Sequence, residues 1–164
     1  MRIAWQRLLN RSGHEAGLAL LEQLYREETG NALPSIAKTP QGKPYFPQND
    51  LHFSISHTPS HAFCCLHSEN VGIDAEEIGR APDMRLLDRY CSPNERQRIT
   101  SANHPADALL RLWVLKESYA KFTGRGLGNY LKATDFSPDD PRIQIIDGCY
   151  VAVFTEERTQ NHAL

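Results

Sequence analysis

WVLKESYAKFTGRGLG, residues 113–128, is the stretch from which the rest of the chain can be read. Apolar side chains recur at Leu109, Leu110, Leu112, Trp113, Leu115, Tyr119 and Phe122, which is the spacing of a helix. On that helix Glu117 and Lys121 share a face. Gly124 stops it, and Gly126 and Gly128 follow at once, a run that caps a helix or lets backbone approach a phosphate. As an exposed pair, Glu117 and Lys121 would be worth only about 0.3–0.5 kcal/mol. The same groups also suit phosphate chemistry, with Glu117 as a base or metal ligand and Lys116 and Lys121 as neutralising charges.

Outward from this helix, the chain alternates between the two periodicities. Residues 14–29 are helical in pattern and end at Gly30, and residues 34–50 carry five turn-forming Pro and Gly residues. Residues 51–56 and 62–66 read as a strand pair, and residues 71–75 as another strand. Residues 84–90 suggest a short helix. Ser92-Pro93-Asn94-Glu95 is a capping box with proline in the first turn, and Pro105 opens the long helix. Residues 133–136, 142–146 and 149–154 are further apolar runs, the last two flanking the hairpin signal Asp147-Gly148. The polar tail from Thr155 is expected to fray. The sequence shows no internal repeat.

The 164 residues suit one compact domain or two small lobes. Eighteen basic and twenty acidic residues nearly balance, which argues against a general nucleic-acid binder. No apolar run approaches the length of a membrane span, and the N-terminus lacks the pattern of a secretory signal. Cys64, Cys65, Cys91 and Cys149 form no C-x-x-C pair and read as reduced, apolar residues of a cytoplasmic protein.

Three further groups carry chemistry. In Gly72-Ile73-Asp74-Ala75-Glu76, an extended backbone points Asp74 and Glu76 the same way. Two such carboxylates repel unless a cation lies between them, and an all-oxygen set suits Mg²⁺; a solvated acidic strand end is the plainer alternative. Ser56 and His57, in Ser54-Ile55-Ser56-His57-Thr58, stand at a strand end where a hydroxyl and an imidazole can bind phosphate oxygens. Gly42-Lys43-Pro44, followed by Tyr45-Phe46, either forms a plain turn or holds a purine and its phosphate.

In this order, GKP with its aromatics, S-x-SH-T, GxDxE and WxxKES-Y-x-K-x-x-G-x-G resemble the 4′-phosphopantetheinyl transferases. The likeness is greater to the two-lobed surfactin-synthetase type than to the small trimeric type. Residues 89–95 are similar to that family's linking segment, and the resemblance runs roughly from Gly42 to Gly128. Ala75 stands where the family usually has a bulkier apolar residue, and the segment before Gly42 is short for the two-lobed type.

The resemblance implies an α+β fold of two similar lobes related by a pseudo-twofold, with the active site between them. Residues 1–70 would carry the adenine and 3′-phosphate side of coenzyme A, and residues 71–164 the metal-binding and catalytic helix. It further implies Mg²⁺-dependent transfer of phosphopantetheine from coenzyme A to a serine of an acyl-, polyketide- or peptidyl-carrier protein, by a monomer. Asp74, Glu76 and Glu117 would hold the metal, with Glu117 also the base, directly or through water. Lys121 and Lys116 would meet phosphate, with Lys121 also catalytic. Lys43 and Pro44 would lie by the adenine, and Ser56 and His57 by the 3′-phosphate. Two other functions fit the residues: a family member that binds coenzyme A or the carrier without turnover, and an unrelated Mg²⁺-dependent phosphohydrolase.

Overall fold

Two antiparallel three-stranded sheets, each covered by a long helix, make up the computed structural model, which describes residues 1–156. Strand β1 (Arg2–Arg7) leads into helix α1 (Gly13–Thr29). A small ribbon of β2 (Ala37–Lys38) and β3 (Pro44–Tyr45) precedes the hairpin of β4 (His52–His57) and β5 (His61–His67). The second set begins with β6 (Val71–Glu77) and passes through α2 (Leu86–Tyr90), α3 (Pro93–Thr100) and α4 (Pro105–Thr123). A 3-10 turn at Asn129–Ala133 follows, then the hairpin of β7 (Ile143–Ile146) and β8 (Cys149–Thr155). The strand orders are β1-β5-β4 and β6-β8-β7. In both, the strand before the long helix pairs with the second arm of the hairpin after it, so one topology is drawn twice.

Local chemistry sets the element ends. Ser12 and Glu15 form a reciprocal capping box at the start of α1, and Ser92 and Glu95 do the same for α3. Gly30 and Gly124 end α1 and α4 in the left-handed conformation, at φ of 73° and 67°. Asp147 and Gly148, at φ of 44° and 78°, turn β7 into β8 as the Asp-Gly signal predicts.

The alternation of β5 sends its two adjacent cysteines into different cores. Cys64 packs with Leu20, Leu21 and Leu24 of α1, while Cys65 joins Ile73, Val151 and Val153 between the sheets. Helix α4 covers the second sheet through Leu110, Val114 and Leu115, and on another side holds α2 and α3 through Leu109 and Leu112. A helix covered on several sides has no broad polar stripe, which is why its apolar pattern is nearly continuous. Trp113 is buried there, its ring centroid 5.4 Å from that of Tyr90. All four cysteines are buried and free, and no described helix is long and apolar enough to cross a membrane.

Three details differ from the sequence reading. Strand β1 carried no signal, because RIAWQR becomes a strand by pairing with β5 over its whole length. The apolar run 133–136 forms no strand; Ala133 ends the 3-10 turn and the other three residues follow it. Thr155 does not fray: it pairs with Val71 in β8 and is buried. The rest of the expected polar tail, from 157 on, lies outside the described residues.

Candidate active site

The site exists because β6 and α4 touch. Gly72 permits it: a Cβ at that position would stand 2.2 Å from the Ser118 carbonyl oxygen and 2.3 Å from the Phe122 nitrogen. Gly72, Asp74 and Glu76 share the face of β6 that meets this helix, as period two requires. Two sequence motifs thus become one wall.

Asp74 is buried on that wall. Its Oδ1 accepts from Lys121 Nζ at 2.7 Å and from Ser56 Oγ at 2.8 Å, while its Oδ2 is buried without a hydrogen-bond partner. Lys121 therefore hydrogen-bonds Asp74 rather than Glu117, the partner that helical spacing offered. Glu76 is held by Arg80, which the turn at Gly79 (φ 88°) carries back to it. The Glu117 carboxyl is pushed up to about 7, first by burial and then by the Asp74 carboxylate. Glu76 adds to that rise, whereas Lys121 and Arg80 oppose it.

A cavity of about 320 Å³ opens beside Glu117 and Lys121. It is lined also by Lys43 and Pro44, by Phe53 and Ile55 of β4, and by Gly124, Gly126 and Leu127 after α4. The Lys43 ammonium is engaged at the end of α4, donating to the Phe122 carbonyl at 2.8 Å and to the Asn70 side-chain oxygen. Burial lowers its pKa to about 8.

The remaining expected residues disperse. Ser56 is buried, with its hydroxyl donating to Asp74 and accepting from the Ala75 N–H at 3.2 Å, so it supports a carboxylate instead of opening toward an anion. His57 is exposed and lines a separate depression with Gly13, Glu76 and Arg80. Lys116 is fully buried and faces α3. Its Nζ pairs with Glu95 Oε2 at 2.6 Å and donates to the Leu131 carbonyl and the Thr134 hydroxyl, each at 2.7 Å. Successive helical residues are rotated by about 100°, so Lys116 cannot share the direction of Glu117. The expectation that Lys116 meets phosphate is corrected accordingly. Sequence reasoning also missed Asn70 and Arg80; a Gly-Arg pair just after an acidic strand end was the available signal for the second.

Among the described residues, no group of three or more His, Cys, Asp or Glu side chains is gathered in a metal-holding arrangement. The donor chemistry still fits a hard divalent cation. Asp74 Oδ2 is a buried oxygen without a partner, and the Asp74 and Glu76 charges are close enough to raise Glu117.

The family model that matches residues 70–161 is described as the 4′-phosphopantetheinyl transferase superfamily. A 4′-phosphopantetheinyl transferase of Bacillus subtilis is 38% identical over 111 residues, covering 63% of this chain and 48% of that protein. The 4′-phosphopantetheinyl transferase gsp of Aneurinibacillus migulanus is 32% identical over 111 residues, 66% of this chain and 45% of its own. For psf-1 of Bacillus pumilus, also named a 4′-phosphopantetheinyl transferase, identity is 30% over 116 residues, 70% of this chain and 46% of its own. The chain spans about half the length of the curated relatives it matches.

Proposed function

The chain belongs to the 4′-phosphopantetheinyl transferase superfamily, and from that premise we propose that it moves 4′-phosphopantetheine from coenzyme A to a carrier protein. The acceptor is a serine hydroxyl of an acyl-, polyketide- or peptidyl-carrier protein, and the product released is adenosine 3′,5′-bisphosphate. The observation that carries this reading is a meeting of two carboxyl groups from separate motifs. Asp74 has a buried oxygen without a partner, and Glu117, raised to about 7, lines the adjoining cavity.

Glu117 takes the proton of the acceptor serine. It lines the cavity and acts on that hydroxyl directly or through a water. The serine oxygen bonds to the phosphorus that bears the pantetheine arm, and the bond from that phosphorus to the bridging oxygen breaks. Lys121, half-buried at the cavity, donates to the freed oxygen and offsets its charge. Asp74, Glu76 and Glu117 would hold Mg²⁺, which when bound neutralises the pyrophosphate oxygens and the departing bisphosphate. Phe53, Ile55 and Leu127 give the cavity apolar walls, which cover a ligand and limit competing water. Ser56 keeps Asp74 oriented through its hydrogen bond to Oδ1.

Intact-mass measurement of an apo carrier protein after incubation with the chain, coenzyme A and Mg²⁺ tests the reading. A gain of one phosphopantetheine is expected, and it should vanish in Asp74→Ala and Glu117→Ala while their circular dichroism stays native. Binding of coenzyme A with an unmodified carrier would reduce the function to binding. Hydrolysis of the pyrophosphate without a carrier would point to a phosphohydrolase instead.

A further inference from the structure

An ammonium has three donors, and all three of Lys43 have acceptors within the protein. Nζ donates to the Phe122 carbonyl at 2.8 Å and to the Asn70 side-chain oxygen, and lies 3.4 Å from the Val71 carbonyl. Asn70 Nδ2 donates to the same Phe122 carbonyl at 2.7 Å. That carbonyl belongs to the last turn of α4, where acceptors lack intrahelical partners and the helix dipole favours a cation. The stem of Lys43 lies over the glycine that ends the helix: a Cβ on Gly124 would be 3.0 Å from Lys43 Cδ. Residues 41–44 make one part of the cavity wall and Gly124, Gly126 and Leu127 another, and this contact joins the two.

We infer that Lys43 is a positioning residue for the donor substrate: with Asn70 it clasps the end of α4 and sets the separation of these two parts of the cavity wall, and it does not bind a phosphate. The inference rests on the reading that this cavity takes coenzyme A. Asn70 does not line the cavity, so it separates the two roles. If the clasp matters, losing Asn70 harms donor binding much as losing Lys43 does. If Lys43 is a phosphate ligand, Asn70 is indifferent.

The test compares wild type, Lys43→Met, Asn70→Ala and the double variant. Its readouts are calorimetric titration with coenzyme A and with dephospho-coenzyme A, transfer kinetics, and hydrogen exchange of the ligand-free chain. Lys43→Met is expected to weaken both coenzymes about equally, on the order of tenfold, the effect of one lost charge-assisted hydrogen bond. KM for coenzyme A should rise while kcat changes little. Asn70→Ala should show a comparable loss, and the double variant should be no worse than Lys43→Met, since both remove one unit. Amides of residues 122–128 should exchange faster in each variant. Selective loss of coenzyme A over the dephospho form, with Asn70→Ala binding as wild type, would overturn the inference, as would additive losses. If wild type binds no coenzyme A, the proposed function fails, and exchange then decides the clasp by itself. Unchanged exchange in both single variants would refute it.

Discussion

Lys116 and Glu117 are neighbours in sequence, yet one is a buried strut and the other lines the cavity. Lys116 is enclosed with Glu95, whose Oε1 also accepts from the Phe136 N–H at 2.8 Å and whose Oε2 accepts from the Ser92 N–H at 2.7 Å. The pair thereby ties α3, α4 and the segment after the 3-10 turn together. Removing one member of such a pair leaves the other charge buried and uncompensated, which costs about 3–5 kcal/mol. Lys116→Met is therefore expected to lower the urea midpoint steeply, while the folded fraction at low temperature keeps its affinity for coenzyme A. A phosphate ligand would show the opposite pattern, with normal stability and lost affinity. Lys121 shows the same dependence on surroundings, because its partner Asp74 comes from another motif and is buried. Neither partner could be read from helical spacing, which names only the neighbours along α4.

At the scale of elements, the β6–α4 contact matters most for the site, and it depends on a missing side chain. The obstacles to a Cβ at Gly72 are backbone atoms of Ser118 and Phe122, which cannot rotate aside. Gly72→Ala is expected to cost about 3 kcal/mol, the upper end for overpacking, read by chemical denaturation. Gly126→Ala is the control. A Cβ there meets nothing within 4 Å, but its φ of 69° disfavours a side chain, so about 1–2 kcal/mol is expected. A smaller loss at Gly72 than at Gly126 would mean that the helix can withdraw from the strand. Helix α4 was legible in the sequence because its period and terminal glycine act within a few residues. Strand β1 was not legible, because its partner β5 lies beyond α1, the β2–β3 ribbon and β4.

Across the whole molecule, the two sheets are joined by side chains rather than by a shared ladder. Ser54 Oγ accepts from the Ile73 N–H at 3.1 Å and Ser56 Oγ from the Ala75 N–H at 3.2 Å. A second joint pairs Arg7 with Asp147 through two bonds of 2.7 and 2.8 Å, and His61 reaches the same carboxylate at 2.8 Å. Ser54→Ala would leave the Ile73 N–H buried without an acceptor, at an expected cost of about 1–3 kcal/mol. Trp5 lies in the first sheet and Trp113 in α4. Variants retaining one tryptophan each should then unfold in urea with coincident midpoints, since both halves share the joints and the core between the sheets. Separate transitions would show that the halves are stable independently. The sequence by itself determined the long helices with their terminal glycines, the capping box of α3, the Asp-Gly hairpin, the common face of Asp74 and Glu76, and the mixed α and β class. All of these follow from backbone preferences and periodicities over a few residues. Only the tertiary structure decided that Lys121 and Ser56 serve Asp74, that Lys116 pairs with Glu95, that Lys43 clasps α4, and that His57 stands apart from the cavity. Those choices depend on which distant segments meet and on how far each charge is removed from water, because burial sets the free energy of an ion pair or hydrogen bond.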